Sequence, residues 1–171
     1  MTEFLSEENI ALHKEYLRDL SLKYSILEKS IEGIKGIRMS ELPKVRCSRD
    51  ELRDILKVLP EMELHEICFS SFSDKKNPSS ARVREQFGTE GAFLNRLFRL
   101  GMSLDHGFVV VNRKGNRLDS LALNDYAAAF TLGSPILAID VCEHAYFLDY
   151  GFDKPTYLVN ALSFLDLSKI G

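Results

Sequence analysis

The stretch HGFVVVNRKGNRLDSLAL (His106–Leu123) decides the class of fold, because the hydrophobic pattern of the chain changes there. Two strand-like runs flank the turn residues RKGN (113–116), and a glycine-containing turn between such runs is typical of a β-hairpin. A third apolar run, SPILAIDV (134–141), is the best candidate for a buried strand. The sequence therefore predicts a small antiparallel sheet of three strands.

The residues before this stretch have the periodicity of helices. Apolar residues recur at helical spacing from Ser6, a good N-cap, to about Ser30, and a second stripe follows the N-cap Ser48. Leu12 belongs to the first stripe, and Leu52 to the second. The loop between the two stripes contains glycines and a proline, so the sequence predicts an antiparallel helical hairpin.

Shorter helical segments surround the predicted sheet. They are 81–87, 90–102 and the C-terminal residues from Lys154 onward. The class is therefore α+β, with an N-terminal α-helical hairpin followed by a C-terminal α/β lobe that contains a small three-stranded antiparallel sheet. We predict an N-terminal domain at 1–73, a polar linker at 74–80 and a C-terminal domain at 81–171.

Composition excludes several classes of function. The 171 residues carry a formal net charge of −3 and no long basic run, which argues against binding nucleic acid. No apolar run approaches the ~20 residues that span a bilayer, so no membrane role is expected. The N-terminus is acidic where a signal peptide is basic. Three cysteines without a CxxC motif indicate reduced thiols, and we expect a cytoplasmic protein.

Three of the four histidines lie in apolar segments, where ionisable groups are costly to bury unless they are paired or bind a metal. They are His13, His65 and His144. Asp140 ends the third predicted strand, and its spacing from His144 predicts that both lie on one side of a helical turn. Three imidazoles and one carboxylate suit manganese, iron or zinc. Spacing alone leaves open hydrogen-bonded core histidines and a local ion pair at Glu143.

Other metal and nucleophile motifs fit less well. HEICF (65–69) begins like a zincin motif, but Phe69 stands where the second histidine must be. Ferritin-like sites need a glutamate three residues before a histidine, and none is present. A Cys142–His144 pair is unfavourable because a thiol in an apolar run has a raised pKa and is inert. A helical interaction protein with ordinary core histidines is a further alternative.

Several segments resemble the iron/manganese superoxide dismutases. DVCEHAYFLDYG (140–151) resembles their signature D-x-W-E-H-A-Y-Y, and LHEICFSSF (64–72) resembles N-H-x-x-F-W. LSEENIALHKEYL (5–17) resembles the segment with the first-helix histidine. HGFVVV (106–111) is similar to G-S-G-W-x-W-L, and KPTYL (154–158) to R-P-x-Y-L. The resemblance covers essentially the whole chain in the right order.

The resemblance implies a dismutase that converts superoxide to oxygen and hydrogen peroxide with one Mn or Fe ion per chain. The implied ligands are His13, His65, Asp140 and His144, with a solvent molecule as the fifth ligand. Glu143 matches the family glutamate that bonds the ligand histidine of the partner subunit, which implies a homodimer. A tetramer of two such dimers stays open. A carboxylate of this kind fixes the orientation and tautomer of the imidazole.

The sequence departs from the family around the implied ligands. Ser21 stands at the position of the gateway tyrosine, and Leu17 and Phe147 replace a polar pair that crosses the interface. Asn124 falls on the glutamine position of manganese-type members, and we assign it and Glu143 as the catalytic residues beside the metal. The iron-type glutamine position holds Glu61.

These departures leave open a metal-binding relative with little or no dismutase activity, acting in metal binding or sensing. The chain contains no tryptophan, whereas the family builds its active-site wall from several. A proton relay would therefore use other residues. Four tyrosines are candidates that the sequence does not rank: Tyr16, Tyr24, Tyr126 and Tyr146.

Overall fold

The computed structural model describes residues 4–74 and 79–171, and it begins with the predicted helical hairpin. Helix α1 (Glu7–Ser30) starts at Ser6, whose side chain accepts a hydrogen bond from the Asn9 backbone N–H. Helix α2 (Arg49–Ser70) starts at Ser48, which forms a capping box with Glu51. Both predicted N-caps are therefore confirmed. Each cap accepts a hydrogen bond from a backbone N–H of the first turn, which has no partner within the helix.

The two helices bury only part of their predicted apolar stripes. Helix α1 packs with Ile10, Leu20 and Tyr24, and helix α2 with a stripe that runs from Ile55 to Cys68. The prediction is wrong for Leu12, whose side chain is half-exposed, and Leu52 is also exposed. Helix α2 continues through Pro60.

The C-terminal part contains the predicted sheet and further helices. Its elements are α3 (Ala81–Phe87), α4 (Glu90–Met102), β1 (Phe108–Lys114), β2 (Arg117–Leu123), α5 (Tyr126–Thr131), β3 (Ser134–Asp140), α6 (Phe147–Tyr150) and α7 (Lys154–Ser163). The α+β class and the three-stranded antiparallel sheet are thereby confirmed. The sequence did not identify α5 or α6. The C-terminal helix ends at Ser163, and only a short 3-10 turn (Leu167–Ile170) follows it.

The sheet has the strand order β2-β1-β3, with β1 antiparallel to both neighbours. The β1–β2 turn contains Gly115, whose φ of +59° suits glycine. SPILAIDV, predicted as the best candidate for a buried strand, forms β3, but it is less completely buried than β1. In β1 the five residues from Phe108 to Asn112 are buried, whereas β3 is buried only over its last four residues. The central position of β1 explains this, because both of its edges are paired.

The helical hairpin packs directly on the sheet. Leu64 and Cys68 of α2 share a hydrophobic cluster with Phe108 and Val110 of β1. The Ser71 hydroxyl accepts from the Ala138 N–H at 2.9 Å, which ties the end of α2 to β3. The ends of α2 and β3 therefore lie at the junction of the two parts.

Residues 75–78 of the predicted linker lie outside the described residues. The domain division at 74–80 therefore stays a prediction. None of the helices in the described part of the chain is long and apolar enough to cross a membrane.

Candidate metal centre

Four side chains from four separate elements meet where the helical hairpin contacts the sheet. His13 lies in the second turn of α1, and His65 lies in the last two turns of α2. Asp140 is the last residue of β3, and His144 belongs to a 3-10 turn (Glu143–Ala145) just after it. We call these four residues the histidine–aspartate cluster.

The chain turns sharply between Asp140 and His144. The Cys142 N–H donates to Oδ1 of Asp140 at 2.8 Å, which leaves Oδ2 facing the histidines. The prediction that both residues share a helical turn is wrong, because Asp140 is in a strand and His144 in the following 3-10 turn. The Tyr157 hydroxyl donates to the main-chain oxygen of Asp140 at 2.8 Å, which fixes the strand end.

Gly107, just before β1, packs closely against the end of β2 and also bonds the segment that follows β3. Its φ is +120°, and a Cβ there would lie 2.2 Å from the Leu123 carbonyl oxygen, so no other residue fits. The Gly107 carbonyl accepts from the Val141 N–H at 2.9 Å, and its N–H lies 3.1 Å from Sγ of Cys142. These two contacts therefore hold the segment just after Asp140 against the residue that precedes β1.

The ligand-type atoms of the cluster converge on one point. Oδ2 of Asp140 lies 3.1 Å from Nε2 of His13, 3.3 Å from Nε2 of His65 and 2.9 Å from Nε2 of His144. The Nε2 atoms of His65 and His144 are 3.3 Å apart. One such atom from each residue lies within 4.8 Å of every other.

Three residues of the cluster are buried and the fourth is partly exposed. His13, His65 and Asp140 are at most 1% exposed, whereas the His144 side chain is 32% exposed. Burial opposes ionisation of Asp140, but the three imidazoles around it outweigh burial and hold the pKa of that carboxyl well below its usual range. Burial lowers the pKa of His13. The cluster therefore contains an ionised carboxylate beside imidazoles.

This arrangement fits a bound cation. Nδ1 of His65 lies 2.8 Å from the Glu61 carbonyl oxygen, so a neutral His65 donates there and presents the lone pair of Nε2 to the cluster. Facing lone pairs repel unless a proton or a cation lies between them. Atoms bound about 2.1 Å from one ion are separated by roughly 3.0–3.6 Å at bond angles of 90–120°. Three imidazole nitrogens and a carboxylate oxygen are ligands that iron, manganese and zinc accept.

Two further residues of the helical hairpin, Tyr16 and Glu61, lie beside the cluster. The Tyr16 hydroxyl donates to Oε1 of Glu61 at 2.7 Å, and the Tyr16 ring stacks on His144 with 4.4 Å between centroids. Burial raises the pKa of Tyr16, and the hydrogen bond to Glu61 raises it further, so the hydroxyl stays a neutral donor. The sequence named Tyr16 and Glu61 separately but gave no signal that they pair, since they are far apart in the chain.

The two residues predicted to act beside the metal lie outside this arrangement. Asn124 is exposed in the connection between β2 and α5, and Glu143 is exposed beside His144. Within residues 4–74 and 79–171, no hydrogen bond joins either side chain to the cluster. Their catalytic roles stay predictions. Burial raises the pKa of the Cys142 thiol, in agreement with the expectation that it is unreactive.

Comparisons with known proteins agree with the geometry. A family model described as iron/manganese superoxide dismutases, C-terminal domain, matches residues 75–171. A protein named superoxide dismutase [Fe] from Cupriavidus metallidurans is 27% identical over 113 residues, which cover 62% of this chain and 57% of that protein. Another of that name from Synechocystis sp. is 33% identical over 98 residues, covering 50% of this chain and 45% of that protein. The chain spans about half the length of these curated relatives.

Proposed function

The chain belongs to the iron/manganese superoxide dismutase family, and on this premise we propose that it converts superoxide to oxygen and hydrogen peroxide with one Fe or Mn ion. The proposed ligands are His13, His65, Asp140 and His144. The observation that carries the proposal is the convergence of three Nε2 atoms on Oδ2 of Asp140 at 2.9–3.3 Å. Such a buried set of acceptor atoms is costly without a cation.

The ion, when bound, supplies one-electron redox chemistry, which Zn²⁺ lacks. The residues of this chain hold and orient the centre. Asp140 stays ionised and balances the charge of the cation, and its Oδ1 is held by the Cys142 N–H. The burial of His13 and His65 excludes water from the inner side. The partly exposed His144 leaves the outer side as the approach for a small anion such as superoxide.

We also propose a homodimer whose interface includes the surface around His144. Glu143 is exposed there, so the carboxylate is free to reach a second copy of the chain. The exposed Phe147 and Phe152 pack edge-on against each other at 5.1 Å and add apolar area to the same surface. Replacement of a polar pair by Leu17 and Phe147 leaves no unpaired polar group at such an interface.

The proposed location is the cytoplasm. All three cysteines are free, which agrees with a reducing compartment.

A second candidate is a metal-binding relative with little dismutase activity. The hydroxyl of Ser21 donates to the Leu17 carbonyl of its own helix at 2.9 Å and is exposed, so it provides no tyrosine-like group at the cluster. The chain has no tryptophan, and Asn124 makes no hydrogen bond to the cluster among the described residues. Changes around the ligands commonly cost about 10–100-fold in metal affinity or activity.

One experiment separates the two candidates. The protein is purified from cells supplemented with manganese or with iron, the bound metal is quantified, and superoxide decay is followed per bound ion. Near one ion per chain with fast decay supports the dismutase and identifies its metal. A filled site whose decay is no faster than that of the metal-free protein supports the second candidate. A protein that retains neither metal contradicts both.

The roles of Asn124 and Glu143 have their own test. Asn124→Ala and Glu143→Gln are compared with wild type for decay per bound ion and for oligomeric state. A roughly tenfold loss of activity in Asn124→Ala would support its predicted role. A Glu143→Gln protein that still forms a fully active dimer would contradict the role of the carboxylate.

A further inference from the structure

Tyr16 connects parts of the molecule that carry two different histidines of the cluster. It lies on α1, almost one turn after His13. Its ring stacks on the His144 imidazole, with 4.4 Å between centroids and 26° between planes. Its hydroxyl donates to Oε1 of Glu61 on α2 at 2.7 Å. One side chain from α1 therefore contacts the 3-10 turn and α2 at the same time.

Glu61 continues the connection to His65. The main-chain oxygen of Glu61 lies 2.8 Å from Nδ1 of His65, one turn further along α2. The centroids of the Tyr16 and His65 rings are 5.3 Å apart. The Tyr16 ring thus lies against both His65 and His144, and Glu61 contacts His65, while the Nε2 atoms of both histidines face Oδ2 of Asp140.

His144 is the histidine that most needs such support. Its side chain is 32% exposed, whereas those of His13 and His65 are enclosed by the core. An imidazole bound to a metal requires neighbouring groups to set the plane of its ring. The stacked Tyr16 ring sets that plane, and the hydrogen bond to Glu61 prevents the Tyr16 ring from swinging away.

We propose that Tyr16 and Glu61 act as one positioning unit, which holds the His144 ring in the plane that a bound metal requires. The inference rests on the proposed metal centre and adds two positioning residues that contact its ligands from outside. Tyr16 contributes the stacked ring, and Glu61 contributes the acceptor that fixes it. Their effects on metal binding are therefore coupled.

A structural alternative is that the Tyr16–Glu61 hydrogen bond only fastens α1 to α2. Tyr24 provides a matched control, because it lies on the same helix and its hydroxyl donates to the Ile34 carbonyl at 2.7 Å. Tyr24 also fastens α1 to another segment, but it packs with a cluster that includes Ile34, Leu59 and Met39 rather than with the histidines. A general loss of helix packing would affect both tyrosine variants alike.

Co²⁺ is a suitable probe, because nitrogen and oxygen sites bind it and its visible absorption reports coordination geometry without any dismutase assay. The metal-free protein is titrated with Co²⁺ for wild type, Tyr16→Leu, Tyr16→Phe, Glu61→Leu, Tyr16→Phe/Glu61→Leu and Tyr24→Phe. Far-ultraviolet circular dichroism monitors the folding of each variant.

The expected results follow from what each variant removes. Tyr16→Leu loses both the stacked ring and the hydrogen bond, so Co²⁺ affinity falls about 10–100-fold and the spectrum shifts. Tyr16→Phe keeps the stacked ring, so its Co²⁺ affinity falls less. Tyr16→Phe/Glu61→Leu binds as Glu61→Leu does, because one hydrogen bond cannot be lost twice. Tyr24→Phe keeps the wild-type affinity and spectrum.

Two results overturn the inference and are distinguishable. Wild-type protein that binds no Co²⁺ contradicts the proposed metal centre, and the inference fails with it. Wild-type protein that binds Co²⁺, together with a folded Tyr16→Leu of unchanged affinity and spectrum, contradicts the positioning unit alone. If Tyr16→Leu does not fold, the double variant decides, since additive effects of Tyr16→Phe and Glu61→Leu mean that the two residues act independently.

Discussion

Two buried polar regions of this protein differ in how their polar atoms are paired. The first is the histidine–aspartate cluster. The second lies in the helical hairpin, where the Tyr24 hydroxyl donates to the Ile34 carbonyl at 2.7 Å and Oε1 of Glu63 accepts from the Met39 N–H at 2.6 Å. We call these two side chains, Tyr24 and Glu63, the loop anchor, because they hold the segment after α1 against the helices.

The difference lies in the partners. In the loop anchor each side chain bonds a main-chain group of the opposite type, so the region is satisfied by the chain itself. In the histidine–aspartate cluster the polar atoms face one another across 2.9–3.3 Å, and Nδ1 of His13 is buried without a hydrogen-bond partner in the described structure. A region satisfied internally serves the fold, whereas converging acceptors indicate a ligand. Predictions that test this contrast follow, from the largest expected effect to the smallest.

The largest effect is expected for His144→Ala, which removes one of the four proposed ligands. We expect metal retention to be lost, and superoxide decay to fall to the level of the metal-free protein. His106→Ala is the matched control, since His106 is an exposed histidine before β1 and should leave both quantities unchanged. Bound metal per chain after gel filtration is the measurement. If both variants keep metal equally, the ligand assignment is wrong.

Metal removal should lower the stability of the wild-type protein. A ligand that binds only the folded state stabilises it, by about 2.7 kcal/mol when free metal is 100 times its Kd. The free energy of unfolding is measured by urea denaturation with and without metal. The same comparison in His144→Ala should show little difference. Equal stability of the loaded and metal-free wild type would mean that the cluster is an ordinary hydrogen-bonded core.

The helix starts, the β-hairpin and the identity of the cluster residues were predictable from local sequence. Ser6 and Ser48 act through amides within the next turn, so the helix starts could be read directly. The hairpin around Gly115 depends on the turn itself. The residues of the cluster could be named because ionisable groups in apolar segments are unusual.

The remaining features depend on contacts between distant segments. Nothing local indicates that β1 rather than β3 is the central strand, because strand order is set by which edges pair. Leu12 belongs to the apolar stripe by its spacing, yet its side chain lies on the exposed side of α1. Tyr16 and Glu61 are 45 residues apart, and the hydrogen bond between them exists only because the hairpin closes. Hydrophobic periodicity predicts the helices and strands, whereas tertiary packing determines which of them lie next to each other.

A smaller effect is expected for Tyr24→Phe in the loop anchor. The variant leaves the Ile34 carbonyl without its donor, which should lower the free energy of unfolding by about 1 kcal/mol. The loss should be the same with and without bound metal, because the loop anchor does not contact the cluster. Urea denaturation of both forms is the measurement. A loss that appears only in the metal-loaded protein would contradict the independence of the two regions.

The smallest effect is a pH dependence at Glu63. Burial raises the pKa of this carboxyl above its usual value near 4.5, although the hydrogen bond from Met39 and the charge of Arg38 oppose the shift, and the acidic Glu66 and Glu41 reinforce it. A raised folded-state pKa contributes stability that is full below the unfolded-state pKa and is lost as pH rises through the folded-state pKa.

Glu63→Gln keeps an oxygen acceptor for the Met39 N–H and cannot ionise. The free energy of unfolding of the variant, minus that of wild type, should therefore increase from pH 4 to pH 7. Both proteins should carry His144→Ala, so that loss of metal at low pH does not contribute. A difference that stays constant with pH would mean that Glu63 ionises in the folded protein as it does in the unfolded chain, and that its burial has no electrostatic cost.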